Sequence, residues 1–275
     1  MIHPAIAPGH TALITGGASG IGLAAARRLK AFGLAIAIAD YRREALDAAV
    51  AELGSGTLAL EVDVSDRSAV EGMRDATLAR FGRIDVLMNN AGTGNGGPAL
   101  GELSSWQRVL GTNLWGVVNG VQAIVPGMIA SGRPGLVVNT GSKQGITTPP
   151  GDTAYNVSKA GVKVLTEWLA HELRNIEGCA ITAHLLIPGF VFTHLTADGR
   201  REKPAGAWTP EQTVDFMLTS IERGDFYILC PDNEVDRATD EKRILWAAGD
   251  IVENRPPLSR WHKDWGERFK ASLKG

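Results

Sequence analysis

Seven short apolar runs recur along the chain, and segments of helical length separate most of them. They read TALIT, LAIAIAD, TLALEVDV, IDVLMNN, GLVVNT, ITAHLLIP and FYILCP. Continuous apolar strands that alternate with helices are typical of a parallel sheet covered on both faces, because right-handed crossovers place helices over each side. The pattern therefore predicts an α/β protein with a doubly wound parallel sheet. Ligands of such sheets bind beyond the carboxyl ends of the strands.

The composition predicts one globular domain over residues 1–275, since 44% of the residues are hydrophobic and no composition shift marks a linker. The net charge of −2 shows no basic excess, so we expect no nucleic acid partner. The opening MIHPAIAPGH has no charged n-region, and no apolar run is long enough for a membrane span, so we expect a cytoplasmic protein. Cys179 and Cys230 are predicted to be buried free thiols, and no metal site is predicted.

The first strand leads directly into the glycine-rich stretch TGGASGIG, Thr15 to Gly22, and then into a helical segment. Glycines allow a tight turn and a close approach to a pyrophosphate, which the amides of a helix N-terminus stabilise. The plain alternative is an ordinary strand-to-helix turn. The strand before it, the helix after it and an acidic residue further on favour a dinucleotide site.

That acidic residue is Asp40, which ends the second strand about 20 residues past the glycines. A carboxylate there accepts hydrogen bonds from the ribose hydroxyls and repels a 2′-phosphate, which predicts NAD rather than NADP. Arg42 and Arg43 follow at once and are the alternative, since they could bind a phosphate, although they also suit the solvated start of a helix. Ser19 brings no basic charge to this site.

The stretch YNVSK places Tyr155 four residues before Lys159. On a helix this spacing puts both side chains on one face, so that their polar ends can share one small site. Taken alone, the pair is equally typical of a solvated helix surface.

Together these segments resemble the short-chain dehydrogenase/reductase family in its single-domain, Rossmann-fold form. The resemblance runs from about Thr11 to Thr193, with the family's motifs in order: T-G-x-x-x-G-x-G as TGGASGIG, then DVSD, NNAG, GTNLWG, NTGSKQG, YNVSK and IPGFVFT. It implies an enzyme that oxidises CH–OH groups or reduces ketones with a nicotinamide cofactor. It also explains why the glycine spacing departs from the usual dinucleotide fingerprint.

The resemblance implies a cofactor site with Asp63 on the adenine amino group, Val64 against the adenine ring, and Val191 and Thr193 at the nicotinamide amide. The full implied set is Gly16, Ser19, Gly20, Ile21, Gly22, Asp40, Asp63, Val64, Asn90, Ala91, Gly92, Tyr155, Lys159, Pro188, Gly189, Val191 and Thr193.

The implied catalytic residues are Asn113, Ser142, Tyr155 and Lys159. A phenol with a pKa near 10 is a poor base at neutral pH, so we expect Lys159 and the cationic nicotinamide to lower the Tyr155 pKa. Ser142 is expected to orient the substrate oxygen. No G-x-S-x-G elbow surrounds it, which disfavours a hydrolase. In the family, Asn113 anchors a water that completes a proton exit from Lys159.

Substrate contacts are predicted at Gln144, Phe190, Phe192 and His194, with residues 190–208 forming a substrate loop. Gly94 to Pro98 and the TTPPGD loop from Thr147 to Asp152 are further candidate pocket residues. The candidate positions together are mostly apolar or small, and no Arg or Lys cluster suits a small acid. The substrate is therefore predicted to be a neutral, fairly bulky, hydrophobic alcohol or ketone, cyclic or aromatic.

Residues 239–275 are predicted to form a C-terminal extension in which Trp246, Trp261 and Trp265 pack against the body or a neighbouring subunit, or else cover the substrate entrance. A homotetramer, or a homodimer, is expected through the helices that contain Trp115 and Trp168. Two alternatives to an NAD-dependent enzyme remain: an NADPH-dependent carbonyl reductase, and a non-catalytic NAD-binding sensor or scaffold. A sugar-nucleotide epimerase or dehydratase is disfavoured by the glycine spacing.

Overall fold

A single parallel sheet forms the centre of the protein. The computed structural model describes residues 3–273, so the two residues at either end of the predicted 1–275 domain lie outside it. The strands are β1 (Thr11–Thr15), β2 (Ala35–Asp40), β3 (Leu58–Glu61), β4 (Val86–Asn89), β5 (Gly135–Thr140), β6 (Ile181–Ile187) and β7 (Tyr227–Leu229). Their order is β3-β2-β1-β4-β5-β6-β7, and each neighbouring pair is parallel. The predicted doubly wound fold is confirmed.

Ten α-helices are defined within residues 3–273. They are α1 (Gly20–Ala31), α2 (Arg43–Leu53), α3 (Arg67–Phe81), α4 (Leu103–Leu110), α5 (Gly116–Ala130), α6 (Gln144–Thr147), α7 (Thr153–Arg174), α8 (Pro210–Glu222), α9 (Arg237–Val252) and α10 (Gly266–Ser272). A π-helical turn, Gly111–Trp115, joins α4 to α5, and a 3-10 turn, Ser259–Trp261, precedes α10. None of these helices is both long and apolar enough to cross a membrane.

Local sequence explains where several helices begin. The Asp66 carboxylate accepts from the amides of Ser68 and Ala69 and so caps α3. Thr209 and Gln212 form a reciprocal capping box at the start of α8, where Pro210 occupies the first turn and needs no amide partner.

The two faces of the sheet bury separate hydrophobic cores. Along β1, Ile14 faces the core that includes α1 and α8, whereas Leu13 faces the core that includes α5 and α7. Successive side chains of a strand point to opposite faces, so an apolar run with no polar interruption is what a sheet covered on both sides requires.

The C-terminal residues up to 273 form a small aromatic cluster. The Trp246 ring packs edge-to-face against Trp265 and Phe269, with centroids 6.4 and 5.3 Å apart, and the Arg255 guanidinium lies 4.3 Å from its centroid. Trp261 stays 40% exposed.

Both cysteines are free thiols, but only one is buried as expected. Cys230 follows the buried strand β7, and its burial raises the pKa of the thiol to about 12. Cys179 lies between α7 and β6 and is only half-buried, which corrects the prediction for this residue. An apolar local sequence does not ensure burial when the segment is a surface turn.

Candidate active site

A cavity of about 650 Å³ opens at the carboxyl ends of the strands. It lies where the strand order reverses, between β1 and β4, which is where open α/β sheets bind ligands. The helices that follow the two strands leave on opposite faces of the sheet there. The crevice is therefore a consequence of the topology.

The glycine-rich turn between β1 and α1 forms one wall of the cavity. Gly16 and Gly20 have φ angles of +61° and +54°, which side-chain-bearing residues rarely adopt. A Cβ atom on Gly22 would lie only 2.2 Å from the carbonyl oxygen of Gly16. Positions 16 and 20 therefore favour glycine for their backbone conformation, and position 22 requires it for lack of space. No side chain caps the amides at the start of α1 in the part of the chain that the structure describes.

The turn is held against the segment after β4. The Thr15 hydroxyl accepts hydrogen bonds from the amides of Asn90 and Ala91, at 3.0 and 3.2 Å. The Asn90 side chain donates in return to the carbonyl oxygens of Thr15 and Gly16, both at 3.3 Å. These reciprocal bonds fix the two strand ends relative to each other, so the motif residues lie side by side in the cavity wall.

Asp40 stands at the end of β2 with its side chain almost fully buried. One of its oxygens accepts from the backbone amide and the Nε of Arg42, at 3.2 and 3.3 Å. The same guanidinium donates to the Ser19 hydroxyl at 2.9 Å. Arg42 therefore lies inside the site rather than in solvent, whereas Arg43 pairs with Asp47 on the exposed face of α2. The local sequence does not distinguish the two arginines.

Tyr155 and Ser142 meet at another wall of the cavity. Their hydroxyl groups face the same cavity and lie close enough to interact, although Ser142 follows β5 and Tyr155 lies in the first turn of α7. Burial raises the Tyr155 pKa, the Ser142 hydroxyl opposes that rise, and the nearby Asp152 carboxylate adds to it. The predicted lowering is therefore not what the chain's own groups produce, because desolvation of the phenolate dominates.

Lys159 lies one helical turn from Tyr155 and is 4% exposed. Its ammonium donates to the carbonyl oxygen of Thr140 at 2.8 Å and lies 5.7 Å from the centroid of the Tyr155 ring. Burial lowers the Lys159 pKa to about 8. The alternative of a solvated helix face is excluded by this burial.

Asn113 occupies the π-helical turn between α4 and α5, a distortion often found at functional sites. Its side chain is fully buried behind the cavity. The amide accepts from the Thr93 backbone at 2.7 Å and donates to the Thr93 carbonyl oxygen at 2.9 Å and to the Ser158 hydroxyl at 3.1 Å. Asn113 thus fixes the loop after β4, and its part in a proton exit stays a prediction.

The cavity brings together most of the residues predicted from sequence. Those that line it are Gly16, Ser19, Gly20, Ile21, Asp40, Asp63, Val64, Asn90, Ala91, Gly92, Ser142, Tyr155, Lys159, Pro188, Gly189, Val191, Thr193 and His194. Gly22 and Asn113 support the wall from behind.

Three of the four predicted substrate residues do not line the cavity. Val191 pairs with Trp208 as an extended bridge and faces inward, so the alternation of side chains turns Phe190 and Phe192 away. Phe192 instead lines a smaller cleft beside α1. Gln144 starts α6 with its side chain exposed. The cavity therefore does not include these three residues, because the local direction of a loop side chain is not encoded in the apolar pattern, and their contact with a substrate stays a prediction.

Several lining residues were not singled out from the sequence, among them Thr93, Arg108 and Thr140. Asn95, Leu195 and Thr196 also line the cavity, and they fall in the stretches 94–98 and 190–208 that were expected near the substrate. Thr140 could have been found, since it ends a predicted strand at the ligand-binding edge. Arg108 carries no such signal: it reaches the cavity from α4 and donates to the Thr93 hydroxyl and to the carbonyl oxygens of Gly94 and Asn95, at 2.8 to 3.1 Å.

Comparisons with known proteins show which family the chain belongs to. The short chain dehydrogenase family model matches residues 10–204. The chain is 34% identical to 3beta-hydroxysteroid dehydrogenase 2 of Eggerthella lenta, over 74% of this chain and 79% of the relative. It is 36% identical to the 3-oxoacyl-(acyl-carrier-protein) reductase FabG of Thermotoga maritima, over 79% and 85% of the two chains.

Solved structures show the same relationship. A short chain dehydrogenase/reductase of Burkholderia phymatum, crystallised in complex with NAD, superposes with a TM-score of 0.82 at 30% identity, over 91% of this chain and 96% of that one. The span that the family model matches, residues 10–204, includes the glycine turn, Ser142, Tyr155 and Lys159. On these grounds the protein belongs to the short chain dehydrogenase family of oxidoreductases.

Proposed function

We propose that the protein transfers a hydride between NAD and a secondary alcohol or ketone, with Tyr155 as general base and acid. The observation that carries the proposal is the proximity of the Tyr155 and Ser142 hydroxyls in one cavity, which Lys159 and Asp40 also line. Both hydroxyls can therefore contact one substrate oxygen. A non-catalytic sensor has no need for this paired arrangement.

Oxidation of the alcohol removes a proton from its oxygen and a hydride from its carbon. Ser142 orients the oxygen and Tyr155 takes the proton; in the reverse direction Tyr155 returns it to the ketone. NAD, when bound, would supply the hydride acceptor and a cationic ring that favours the phenolate. Lys159 is mostly protonated at pH 7, because its pKa is about 8, and its charge stabilises the same phenolate.

The residues present fit a dinucleotide. The turn that precedes α1 lines the cavity, and its glycines leave room for a pyrophosphate beside the first amides of the helix. Gly16 and Gly20 shape this turn through their positive φ angles. Asp40 is buried and lines the cavity at the end of β2, in the place where a carboxylate binds ribose hydroxyls. This geometry favours NAD, and the NAD-bound Burkholderia structure supports the same assignment.

An NADPH-dependent carbonyl reductase is the second candidate, and one observation favours it. The Arg42 guanidinium reaches the Ser19 hydroxyl across the entrance to this pocket. A cation there could bind a 2′-phosphate. We rank it second because Arg42 is already bonded to Asp40, whose charge repels that phosphate.

The substrate proposed is a neutral, fairly bulky hydrophobic alcohol or ketone. Beyond Gly92, the loop after β4 adds Thr93, Gly94 and Asn95 to the cavity wall, and Leu195 contributes an apolar side chain. Arg108 also lines the cavity, but its guanidinium is bonded to the loop and is therefore a poor partner for a carboxylate. The similarity to a hydroxysteroid dehydrogenase supports a ring-bearing substrate.

The test is NADH formation across cyclic, aromatic, aliphatic, polyol and hydroxy-acid alcohols, with NADP in parallel. Turnover with NAD on the bulky neutral class supports the proposal. Preferred turnover of hydroxy acids contradicts the substrate class, and a preference for NADP contradicts the cofactor. If NADH binds but nothing turns over, the sensor alternative is favoured.

We also propose a homotetramer. Trp115 and Trp168 are 57% and 60% exposed, and Val164 on the same helix as Trp168 is 50% exposed. Large apolar side chains that share helix surfaces in this way are typical of subunit interfaces. Light scattering at micromolar concentration is expected to give about four times the 29.2 kDa chain mass; a monomer contradicts the proposal.

A further inference from the structure

A buried ion cluster lies directly behind the turn that carries Ser142. The Lys143 ammonium is 2.6 Å from an oxygen of Asp240 and 3.5 Å from an oxygen of Asp232. The side chains of these residues are only 15%, 4% and 6% exposed, in the same order. Asp232 and Asp240 lie beyond residue 204, outside the span that the family model matches.

The cluster joins three segments of the chain. Lys143 follows Ser142 directly, and Asp240 lies in the first turn of α9, which packs beside α6. Asp232 accepts from the backbone amide of Phe190 at 3.1 Å. A Cβ on Gly189 would lie 2.6 Å from an oxygen of Asp232 and 3.0 Å from the Lys143 ammonium. Two cavity-lining segments, at Ser142 and at Gly189, are therefore fixed to the same C-terminal segment, which runs from Asp232 into the first turn of α9.

Stability alone is a weak reason for such a cluster. Removing three charges from water costs free energy, and their mutual attraction offsets only part of that cost. Apolar residues of similar size often stabilise a protein equally well. The cost is visible at Asp240, where burial raises the carboxyl pKa even though Lys143 and Arg243 oppose the rise. Arg260 also faces Asp240. What an ion cluster adds over apolar packing is a defined direction for each side chain.

We propose that Asp240 is a positioning residue which, through Lys143, holds the Ser142 hydroxyl against Tyr155. The proposal rests on the proposed function, in which Ser142 orients the substrate oxygen. The path is short: Lys143 is bonded to Ser142 through one peptide link, and the next amide, that of Gln144, donates to the Ser142 hydroxyl at 3.1 Å. A shift of the Lys143 side chain therefore moves the Ser142 turn as a unit. Asp240 itself touches neither cofactor nor substrate.

The test compares Asp240→Asn, Lys143→Met and the double variant with Glu241→Gln, a matched control. Glu241 is the next residue of α9 and forms only an exposed ion pair with Arg237. We expect Asp240→Asn to lower kcat about tenfold or more, since small displacements of positioning groups cost that much. The NADH dissociation constant of Asp240→Asn should stay within about threefold of the wild-type value. The kcat of the double variant should be no lower than that of Lys143→Met, because both changes break the same contact. Glu241→Gln should match the wild type.

A second readout does not depend on turnover. The chain has three tyrosines, so ¹³Cζ-tyrosine NMR gives few signals, and that of Tyr155 is assigned by its loss in Tyr155→Phe. Asp240→Asn should shift the Tyr155 signal and Glu241→Gln should not. If the wild type oxidises no alcohol, the proposed function fails while this signal still tests the positioning. The inference is overturned if Asp240→Asn keeps the wild-type kcat and leaves the Tyr155 signal unmoved, because a lowered Tm alone would show only a structural role. If Asp240→Asn does not fold, Lys143→Met is judged by the same two readouts.

Discussion

The Lys159 ammonium donates a 2.8 Å hydrogen bond to the carbonyl oxygen of Thr140, the last residue of β5. This bond ties the helix that carries Tyr155 to the strand end that carries Ser142. It also keeps an ammonium where water hardly reaches, at 4% exposure. The arrangement is costly for stability and useful for chemistry, so activity and stability should respond in opposite directions when it is removed.

Lys159→Met is expected to raise stability at pH 7 while nearly abolishing activity. Because the Lys159 pKa is lowered to about 8 from 10.5, the unfolded state binds more protons between these values, and stability of the wild type rises with pH across that window. The lowered pKa means that burying the Lys159 ammonium costs about 3 kcal/mol of unfolding free energy at pH 7. Lys159→Met removes this cost but also loses the hydrogen bond to Thr140, which contributes about 1 kcal/mol.

We therefore expect Tm to rise by about 2–4 °C at pH 7. The gain should shrink as the pH increases from 8 towards 10.5. Calorimetry at pH 7 and 9.5 measures both effects. A Tm of Lys159→Met below that of the wild type at pH 7 would show that burying Lys159 costs less than its contacts contribute.

Tyr155→Phe is expected to lower kcat by about 10²- to 10⁴-fold, the usual contribution of a positioned acid or base. The ring remains, so packing and the NADH dissociation constant should change little. Fluorescence titration with NADH is the control for an intact cofactor site. Activity at the wild-type level would exclude Tyr155 as the proton-transferring group.

Cofactor choice is tested by Asp40→Ala and Arg42→Ala. Loss of the buried Asp40 carboxylate should raise the kcat/KM ratio of NADP to NAD at least about tenfold, because it removes a charge that repels the 2′-phosphate. Arg42→Ala should lower the residual NADP activity. Arg43→Ala is the matched control, since Arg43 pairs with Asp47 away from the site. An unchanged ratio in Asp40→Ala would mean that Arg42 alone determines selectivity.

Gly22→Ala should damage the protein, whereas Gly72→Ala should stabilise it. The new methyl group at position 22 would lie 2.2 Å from the Gly16 carbonyl oxygen, so the turn must deform and NADH binding should fall sharply. Gly72 is exposed inside α3 with nothing near its Cβ position. Alanine there should stabilise the protein by about 0.5–1 kcal/mol. NADH binding and urea unfolding measure the pair; normal binding by Gly22→Ala would contradict the close-packed turn.

Acid should lower the free energy of unfolding through His3, which packs beside His184 of β6. Burial, with a smaller effect from His184, lowers the His3 pKa to about 4 from 6.5. Below pH 6.5 the unfolded state therefore binds more protons, and stability falls as the pH drops towards 4. We expect a loss of roughly 1–2 kcal/mol, because partial exposure of His3 weakens the effect. His3→Gln should flatten the pH dependence of urea unfolding over this range; an identical slope would contradict the assignment.

The sequence by itself determined the fold and the strand-end motifs. Each of the seven apolar runs became a strand, because a segment buried on both faces of a sheet must be apolar throughout, and this pattern is local. The glycine turn and the Tyr155 and Lys159 spacing were equally readable, since each depends on backbone geometry over a few residues.

Tertiary structure decided which side chains meet and what their surroundings do to them. Arg42 entered the pocket while Arg43 did not, and Phe190 and Phe192 turned away from it, because loop direction depends on packing partners far along the chain. The rise in the Tyr155 pKa likewise depends on burial, which no local pattern reports. The link from Asp240 to Lys143 joins residues 97 positions apart, and only folding could bring those two charges within 2.6 Å.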